Sequence, residues 1–357
     1  MSPSELVTPA EYLDSIDLPK LAHVDSISLR SNDWFVVCGG FEERACSALQ
    51  MAIASSNEGF NVLLIEYAPV IDENRAEEIR QICKRSKIML RSITYLRHSP
   101  EGLGDEIIRA MDDTSGRLFI DISAMSRLLI VQMLVAIGCR PQSFENCTIV
   151  YSEANYYSPN EKEAQSRRAE LESDPTMCAF FLSSGVFDIT VVPELSSCAM
   201  TGPQSRLVAF PSLDAHHLIS LRTELQPSRL TIIEGVPPRP ESRWRQKLIA
   251  DVNCLHQMPD AERFEASTLD YVETLKALST TYREHAVYER IIVAPTGSKM
   301  QALAVGVFRA FVHDAQIVFP TASRFESPKD YTQGFRQIYL LDLSRFASSF
   351  TGCATPE

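Results

Sequence analysis

The sequence of 357 residues lacks the features that mark several classes of protein. It contains no apolar run of membrane-spanning length and no signal-peptide pattern, so we expect a cytoplasmic protein with no membrane partner. Its nine cysteines form no CxxC pair, and several lie in apolar segments where a reduced thiol behaves as a small hydrophobe. Neither a disulfide framework nor a structural zinc site is therefore expected.

The sequence also has fewer basic than acidic residues. The 34 lysines and arginines are outnumbered by 46 aspartates and glutamates, which gives a formal net charge of −12. This balance argues against binding to extended duplex nucleic acid, because such binding needs a broad basic surface. A small anionic ligand in a local basic pocket remains compatible with the composition.

Familiar catalytic and cofactor signatures are missing as well. The sequence has no Walker A spacing, no GxSxG elbow and no HExxH motif. The glycine turn at 39–44 lacks the GxGxxG spacing of dinucleotide-binding proteins. His216 and His217 are neighbours, so on a helix they point to different faces. We therefore predict no cofactor and no metal, and the sequence leaves open whether any reaction is catalysed.

Strands and helices alternate along most of the chain. In the first half, apolar strands begin at about Trp34, Val62, Ile88, Leu118 and Cys147, with helical segments between them. Strands joined in this way form right-handed βαβ units. The pattern predicts an α/β fold built on a parallel sheet that is covered on both faces.

The same order returns in the second half of the chain. The segment 65–69 is matched by 233–237, and 149–151 is matched by 317–319, both at an offset of 168 residues. The turn at 121–127 corresponds to the turn at 294–299, with a slightly larger offset. Dispersed matches in one order predict two tandem Rossmann-like halves related by a pseudo-two-fold.

The repeat sets the predicted domain boundaries. Residues 1–30 form an N-terminal arm, 31–200 the first half, 201–345 the second half, and 346–357 a tail. Within the first half, residues 160–192 form an insertion that contains a charged helix at 161–172, an apolar segment at 177–182 and a strand at 187–192. A charged helix is typical of a solvated face, although contact with a partner is the alternative.

The candidate site follows from the architecture. In an open α/β sheet, ligands bind beyond the carboxyl ends of the strands, where the first and fourth βα turns often converge. These turns supply hydroxyls, cations and glycines that allow close approach. The predicted ligand-binding residues are Gly39, Gly40, Glu42, Arg44, Ser123, Ser126, Arg127, Thr296, Gly297, Ser298 and Lys299.

Both halves place a serine and then a cation at the start of the helix after the fourth strand. The pairs are Ser126-Arg127 and Ser298-Lys299. Serine caps helices, so a purely structural interpretation exists. A cation in the first turn is unfavourable with the helix dipole, however, and two halves that share this cost favour an anion bound nearby.

Three acidic positions are open to two interpretations. Glu66 and Glu234 end their second strands, where an acid can accept from a ribose hydroxyl or pair with Arg75 and Arg243, respectively. The repeat favours the ion pairs. Asp121 ends the fourth strand of the first half and is either catalytic or a tie to the next turn.

At Pro295-Thr296-Gly297-Ser298-Lys299 the chain resembles the CARF family and its fused-pair relative, the SAVED domain. These are Rossmann-like sensors of cyclic oligonucleotides in prokaryotic antiviral defence, and their fourth-strand turn commonly carries a Thr-Gly-Gly-Thr-Lys-like motif. Thr296, Gly297 and Lys299 match that motif, whereas Ser298 replaces a pair of small residues and shortens the turn.

The resemblance implies a nucleotide-type ligand sensor or regulatory subunit. Its ligand would be a cyclic oligonucleotide or a related small nucleotide-like anion, bound in a cleft between the two halves. Because no effector domain is visible, the effector would be a separate protein. Two alternatives remain: a nucleotide-processing enzyme of the ring-nuclease type, and an assembly scaffold that binds no ligand.

Overall fold

The computed structural model describes residues 9–111, 116–139, 144–167, 183–197, 204–325 and 331–346. Its chain divides into two compact units. Among the described residues, the seven-stranded unit comprises 19–166, 183–185 and 321–346. The five-stranded unit comprises 9–18, 167 and 186–320.

The seven-stranded unit is built on a mixed sheet. Its strands are β1 (Ala22–Val24), β2 (Trp34–Cys38), β3 (Asn61–Ala68), β4 (Met89–Leu96), β5 (Leu118–Asp121), β6 (Cys147–Glu153) and β16 (Gln337–Asp342). They lie in the order β1-β16-β6-β5-β2-β3-β4. Strands β2 to β6 pair in parallel, and β16 and β1 add an antiparallel edge. Counted along the chain, the five parallel strands have the Rossmann order 3-2-1-4-5.

The five-stranded unit repeats that order in a fully parallel sheet. Its strands are β9 (Gln204–Ala209), β10 (Arg229–Val236), β11 (Glu262–Ser267), β12 (Glu289–Ala294) and β13 (Gln316–Ile317), arranged β11-β10-β9-β12-β13. Strands β3 and β10 share the predicted offset of 168 residues at both ends. The predicted α/β fold of two Rossmann-like halves is confirmed, while the pseudo-two-fold between the halves stays a prediction.

Short strands and helices complete the chain. Strand β7 (Tyr156–Tyr157) pairs with β15 (Thr332–Gln333), and β8 (Ser183–Thr190) pairs with β14 (Phe319–Phe325). The helices are α1 (Pro9–Ser15), α2 (Ser47–Ser55), α3 (Ala76–Arg85), α4 (Leu103–Ala110), α5 (Arg127–Gly138), α6 (Glu161–Ser166), α7 (Ala215–Leu225), α8 (Trp244–Val252), α9 (Tyr271–His285) and α10 (Lys299–Phe311).

Two helices are buried around their whole circumference. Helix α5 is buried from Leu128 to Gly138, and α10 is buried from Met300 to Phe311. A helix that is mostly apolar on every side is stable only when other elements surround it. Each of these helices follows the fourth strand of its sheet, so its N-terminus is fixed at the carboxyl edge of the strands.

Each sheet has a hydrophobic core of its own. In the seven-stranded unit, Phe35 and Val37 of β2 and Val62 and Leu64 of β3 are buried in one cluster, because alternate residues of a strand share a face. The five-stranded unit has a separate cluster that includes Leu207 and residues of β10 and β12. Burying one such side chain contributes about 1.5–3 kcal/mol.

The amino ends of the first and fourth strands are joined by an ion pair in both sheets, with the charges exchanged. In the seven-stranded unit, Arg117 Nη2 lies 2.6 Å from Asp33 Oδ2. In the five-stranded unit, Arg206 Nε lies 2.5 Å from Glu289 Oε2. Arg206 also contacts Glu262 at 3.1 Å. The ends of the sheets opposite to the candidate site are thus held by charge.

The structure differs from the predicted boundaries at both ends of the chain. Strand β16 falls in the predicted second half, yet it pairs with β6 in the other sheet and buries Ile338 and Leu341. The predicted arm is divided: β1 pairs with β16, whereas Tyr12 of α1 stacks on Phe311 at 5.9 Å. An open strand edge beside β6 explains the first difference, because unpaired backbone groups there need a partner.

The predicted insertion is only partly described. Its charged helix is seen as Glu161–Ser166, and its strand as Ser183–Thr190. The remainder of the charged helix, the apolar segment at 177–182 and the tail after Phe346 lie outside the described residues.

Candidate functional site

The turns that follow the fourth strands begin their helices in the same way. Ser126 is the N-cap of α5, and its Oγ accepts a hydrogen bond from Leu129 N at 3.2 Å. Ser298 is the N-cap of α10, and its Oγ accepts from Gln301 N at 3.1 Å. The first helical residues are therefore Arg127 and Lys299, both half-buried. The predicted serine and cation stand at both carboxyl edges.

Gly39 and Gly40 of the first turn are required by close packing within the chain. A Cβ on Gly39 would lie 2.8 Å from Ala76 Cβ, and one on Gly40 would lie 2.9 Å from Ala124 Cβ. Real Cβ atoms do not approach so closely, so a side chain at either position would force neighbouring segments apart. The carbonyl of Gly40 also accepts from Arg75 N at 3.1 Å. These contacts explain the glycines without a ligand.

Glu42 and Arg44 form a buried ion pair. The two residues are 5% and 2% exposed, and Arg44 Nη2 lies 2.7 Å from Glu42 Oε2. Arg44 Nη1 donates to Ser152 O at 2.8 Å and to the hydroxyls of Tyr157 and Tyr151. Burial lowers the pKa of Arg44, but Glu42 and the two tyrosines outweigh burial and raise that pKa well above its usual value. The guanidinium thus holds the first turn against β6.

Asp121 ties down the turn that follows β5. Its Oδ1 accepts from the backbone N of Ser123 at 2.9 Å and also from the Ser123 hydroxyl. The same hydroxyl oxygen accepts from Ser152 N at 2.7 Å. Of the two interpretations of Asp121, the structure shows the tie, and Ser123 is fully buried within it.

In the five-stranded unit, the first and fourth turns are joined directly. Thr296 is 2% exposed, and its Oγ1 donates to Phe210 O, just beyond β9, at 2.6 Å. A Cβ on Gly297 would lie 3.1 Å from Phe210 Cβ. The predicted convergence of the first and fourth turns is therefore present in this unit. Thr296 contributes by positioning the turn.

Sequence reasoning missed Gln301, the third residue of α10. Its Oε1 accepts from Ser298 N at 2.8 Å, while Gln301 N donates to Ser298 Oγ, which completes a capping box. The Ser298 hydroxyl in turn donates to Thr268 O at 2.8 Å. The Ser-x-x-Gln spacing is a known sequence signal of a capping box, so this contact was open to prediction.

The amide nitrogen of Gln301 is buried and unsatisfied. The residue is 1% exposed, and Nε2 has no hydrogen-bond partner within the described part of the chain. Its orientation is fixed, because the N–H of Ser298 requires the oxygen and not the nitrogen. Nε2 lies 3.6 Å from the position that a Cβ on Gly235 would occupy. Gly235 and Gly297 therefore flank the amide without side chains of their own.

The same place in the seven-stranded unit is filled by Tyr67, which corresponds to Gly235 at the offset of 168. The Tyr67 hydroxyl accepts from Ser126 N at 2.6 Å and donates to Ala124 O at 3.4 Å. The Arg97 guanidinium lies 4.4 Å from the centre of the tyrosine ring. Burial raises the pKa of Tyr67 well above its usual value, so the hydroxyl stays neutral.

The first turn of the five-stranded unit holds two histidines against one carboxylate. Asp214 caps α7 by accepting from His216 N at 3.1 Å. Separate oxygens of Asp214 lie 3.4 Å from His216 Nδ1 and His217 Nε2. His216 is half-buried on this turn, whereas His217 is buried, as their neighbouring positions on the helix predict.

The predicted partners of the second-strand acids are wrong. Glu66 pairs with Arg80 at 2.5 Å, while Arg75 pairs with Glu78. Glu234 pairs with Arg263 of the neighbouring strand at 3.4 Å. The acids are held by ion pairs, as expected, but the partners lie one helical turn later or on the adjacent strand.

One group of possible metal ligands is present among the described residues, consisting of Glu262, Glu284 and His285. It lies near the amino ends of the strands, away from the fourth-strand turns, because Glu262 is the first residue of β11. Glu262 Oε2 already contacts Arg206 at 3.1 Å and accepts from Thr231 Oγ1 at 2.9 Å. A guanidinium beside the carboxylate supplies the positive charge that a metal would otherwise provide.

Comparisons with known proteins leave the function open. Neither a family model nor a curated protein matches the sequence. One structural neighbour is a protein of unknown function from Pseudomonas aeruginosa, with 8% identity, coverage of 81% of this chain and 92% of the neighbour, and a TM-score of 0.24. Another is the cytoplasmic domain of a prokaryotic cation chloride cotransporter, with 8% identity, coverage of 82% and 96%, and a TM-score of 0.24.

The fold class is assigned from the strand order of the two sheets and not from these neighbours. Among the residues that the structure describes, no helix has both the length and the apolar character needed to cross a bilayer.

Proposed function

We propose that the protein is a ligand sensor or regulatory subunit that binds a nucleotide-like anion at its fourth-strand turns. The observation that carries the proposal is the placement of Arg127 and Lys299 as the first residues of two serine-capped helices. A cation at this position opposes the helix dipole. A bound phosphate would offset that cost, because it interacts favourably with the cation, the dipole and the backbone N–H groups.

The surrounding residues act in this proposal as supports. Glu42, Arg44, Ser123 and Thr296 are buried and hold the turns through contacts within their own units. A site is effective when such supports keep the contacting groups in place. The contacting groups are then the half-buried residues of the two turns, namely Ser126, Arg127, Gly297, Ser298 and Lys299.

The ligand proposed is a cyclic oligonucleotide, on the strength of the resemblance of residues 295–299 to the CARF turn. A signal of this kind would be passed to a separate effector protein of an antiviral defence system. The formal charge of −12 fits a local phosphate site better than a broad nucleic-acid surface.

A second candidate is an enzyme that cleaves the same ligand. It is favoured by the contact of 3.4 Å between Asp214 and the buried His217, since a carboxylate that orients a histidine is a common arrangement for proton transfer. In that case Lys299, at the fourth-strand turn of the same unit, would stabilise the charge that develops on phosphorus.

The test is to incubate the purified protein with a panel of cyclic di-, tri- and tetranucleotides, following binding by calorimetry and product by chromatography. We expect binding of at least one member with the ligand intact. Lys299→Ala should weaken that binding roughly tenfold or more, as expected for the loss of a charge-assisted contact to phosphate. Lys276→Ala, which removes an exposed lysine of α9, is the matched control and should leave binding unchanged.

The other outcomes decide between the candidates. Cleavage of the ligand that Lys299→Ala abolishes would replace the sensor with the enzyme. No binding of any member would overturn both and leave the assembly scaffold. Binding that neither Lys299→Ala nor Arg127→Ala changes would contradict the site.

A further inference from the structure

We infer that the amide nitrogen of Gln301 donates a hydrogen bond to a phosphate oxygen of the ligand, and that this contact exists only in the five-stranded unit. The inference rests on the proposed function and specifies a ligand contact that one half makes and the other does not. It makes Gln301 a determinant of specificity beside Lys299, in a position with no equivalent donor in the other half.

The side-chain amide of Gln301 is only half satisfied. Gln301 is 1% exposed, and its Nε2 is without a hydrogen-bond partner among the described residues. Buried amide groups are nearly always paired, so an unpaired one calls for an explanation. The capping contact to Ser298 N at 2.8 Å engages the oxygen and leaves the NH₂ group as the unpaired end of the amide.

Two half-buried glycines, Gly235 and Gly297, flank the amide. A Cβ on Gly235 would lie 3.6 Å from Nε2 and 2.8 Å from Thr268 Cγ2. Ser298 and Lys299, at the start of α10, are half-buried as well. Neither glycine adds a side chain beside the donor, and glycine permits close approach of a ligand to the backbone.

The corresponding place in the seven-stranded unit is built differently. There Tyr67 stands where Gly235 stands, and Leu129 stands where Gln301 stands, three residues after the capping serine. The Tyr67 hydroxyl accepts from Ser126 N at 2.6 Å, and the Arg97 guanidinium lies 4.4 Å from the centre of the ring. Leucine has no side-chain donor, so the contact proposed for Gln301 has no counterpart at Leu129.

Phosphate is the acceptor that fits this surrounding. The NH₂ group can only donate, the helix N-terminus is electropositive, and Lys299 is its first residue. A carbonyl of a nucleobase would satisfy the donor but would make no use of the positive end of the helix. The ligand class is therefore a nucleotide whose phosphate faces α10.

The experiment compares two variants of Gln301 with a control in the other half. Gln301→Glu keeps an oxygen acceptor for Ser298 N but replaces the donor with a negative charge. Gln301→Met removes both and retains the volume. Leu129→Met makes the equivalent change in α5. Each protein is titrated with the same cyclic nucleotide panel, with inorganic phosphate and adenosine as competitors, and its thermal unfolding is recorded.

We expect both Gln301 variants to bind roughly 10- to 100-fold more weakly, the range for a hydrogen bond to a charged group, while Leu129→Met binds as the wild type does. Because Gln301→Glu keeps the capping contact but buries a carboxylate, its thermal unfolding is expected below the wild-type temperature, and the titration is made at a temperature where the variant is folded. Inorganic phosphate should compete and adenosine should not.

Other results overturn the inference. Binding by both Gln301 variants within about twofold of the wild type, well below the expected loss, would show that the amide is not a contact, while the proposed function would stand. Competition by adenosine alone would overturn phosphate as the acceptor. Failure of the wild type to bind any member would overturn the proposed function, and this inference with it.

Discussion

The turns after β5 and β12 begin alike and differ in how the cap of the following helix is satisfied. The backbone N of Ser126 donates to Tyr67 of β3, which lies two strands away from β5 in the sheet. The backbone N of Ser298 donates to Gln301, one turn along its own helix. Both arrangements meet the same need of a helix end for hydrogen-bond partners. The tyrosine hydroxyl both accepts from Ser126 N and donates to Ala124 O, whereas the glutamine amide keeps a donor without a hydrogen-bond partner among the described residues.

The largest effect is expected at the support of the seven-stranded turn, which has no equivalent in the other unit. Arg44→Ala would remove the guanidinium from the Glu42 carboxylate, which is 5% exposed and would keep the hydrogen bond from Thr332 Oγ1 at 3.1 Å. Breaking a buried ion pair in this way costs about 3–5 kcal/mol. Urea unfolding should show that loss. The control is Arg85→Ala, at the exposed end of α3, whose free energy of unfolding should lie within about 0.5 kcal/mol of the wild-type value. A loss at Arg44 as small as that at Arg85 would contradict the support.

A smaller effect is expected where the two caps differ. Tyr67→Phe removes the hydroxyl that accepts from Ser126 N at 2.6 Å and keeps the ring. A donor left unsatisfied costs roughly 1–3 kcal/mol. Tyr288→Phe is the control, because that tyrosine is 73% exposed. Equal stability of the two variants by urea unfolding would mean that the Tyr67 cap contributes nothing, and the contrast with Gln301 would lose its basis.

The smallest expected effect is a change in the pH dependence of stability at the opposite end of the seven-stranded sheet. Burial raises the pKa of Asp33, but hydrogen bonds from Arg117 and from the backbone of Arg30 and Arg117 outweigh it and lower that pKa. The folded protein then binds fewer protons than the unfolded chain near the usual pKa of aspartate. Asp33 therefore stabilises the fold above that pKa, and the contribution is lost as pH falls toward the lowered value.

Asp33→Asn tests this assignment, because asparagine cannot ionise. The free energy of unfolding is measured as the pH is lowered. Below about pH 4, near the unfolded pKa of aspartate, it should fall less steeply in this variant than in the wild type. Glu58→Gln, at an exposed loop position, is the comparison for the loss of a carboxylate. Identical slopes for the wild type and Asp33→Asn would show that Asp33 is not a source of acid sensitivity.

Much of the fold was predictable because the same order of strands and helices occurs twice in the sequence. The offset that aligned Glu66 with Glu234 also aligns strands β3 and β10 at both ends. The serine caps of α5 and α10 were predictable too, since capping depends on residues that are close in sequence. Local pattern and repetition therefore carried the prediction.

The remainder depends on contacts between distant residues. Nothing local in Gln337–Asp342 shows that this strand pairs with β6 rather than with the second sheet. The burial of Arg44 follows from Tyr151 and Tyr157, more than a hundred residues away. The contact between Gln301 and Gly235 also joins residues that are distant in sequence, and the unsatisfied Nε2 of Gln301 is visible only once the surroundings of the amide are known.

Strand β16 has a consequence for the order in which the chain can fold during synthesis. The five-stranded sheet is complete once Ile317 has left the ribosome, whereas the seven-stranded sheet still waits for residues 337–342. Until then β6 has an exposed edge, which is the kind of surface that captures other chains. The sheet that begins first is thus finished last, and its pairing of β6 with β16 closes a loop of nearly two hundred residues.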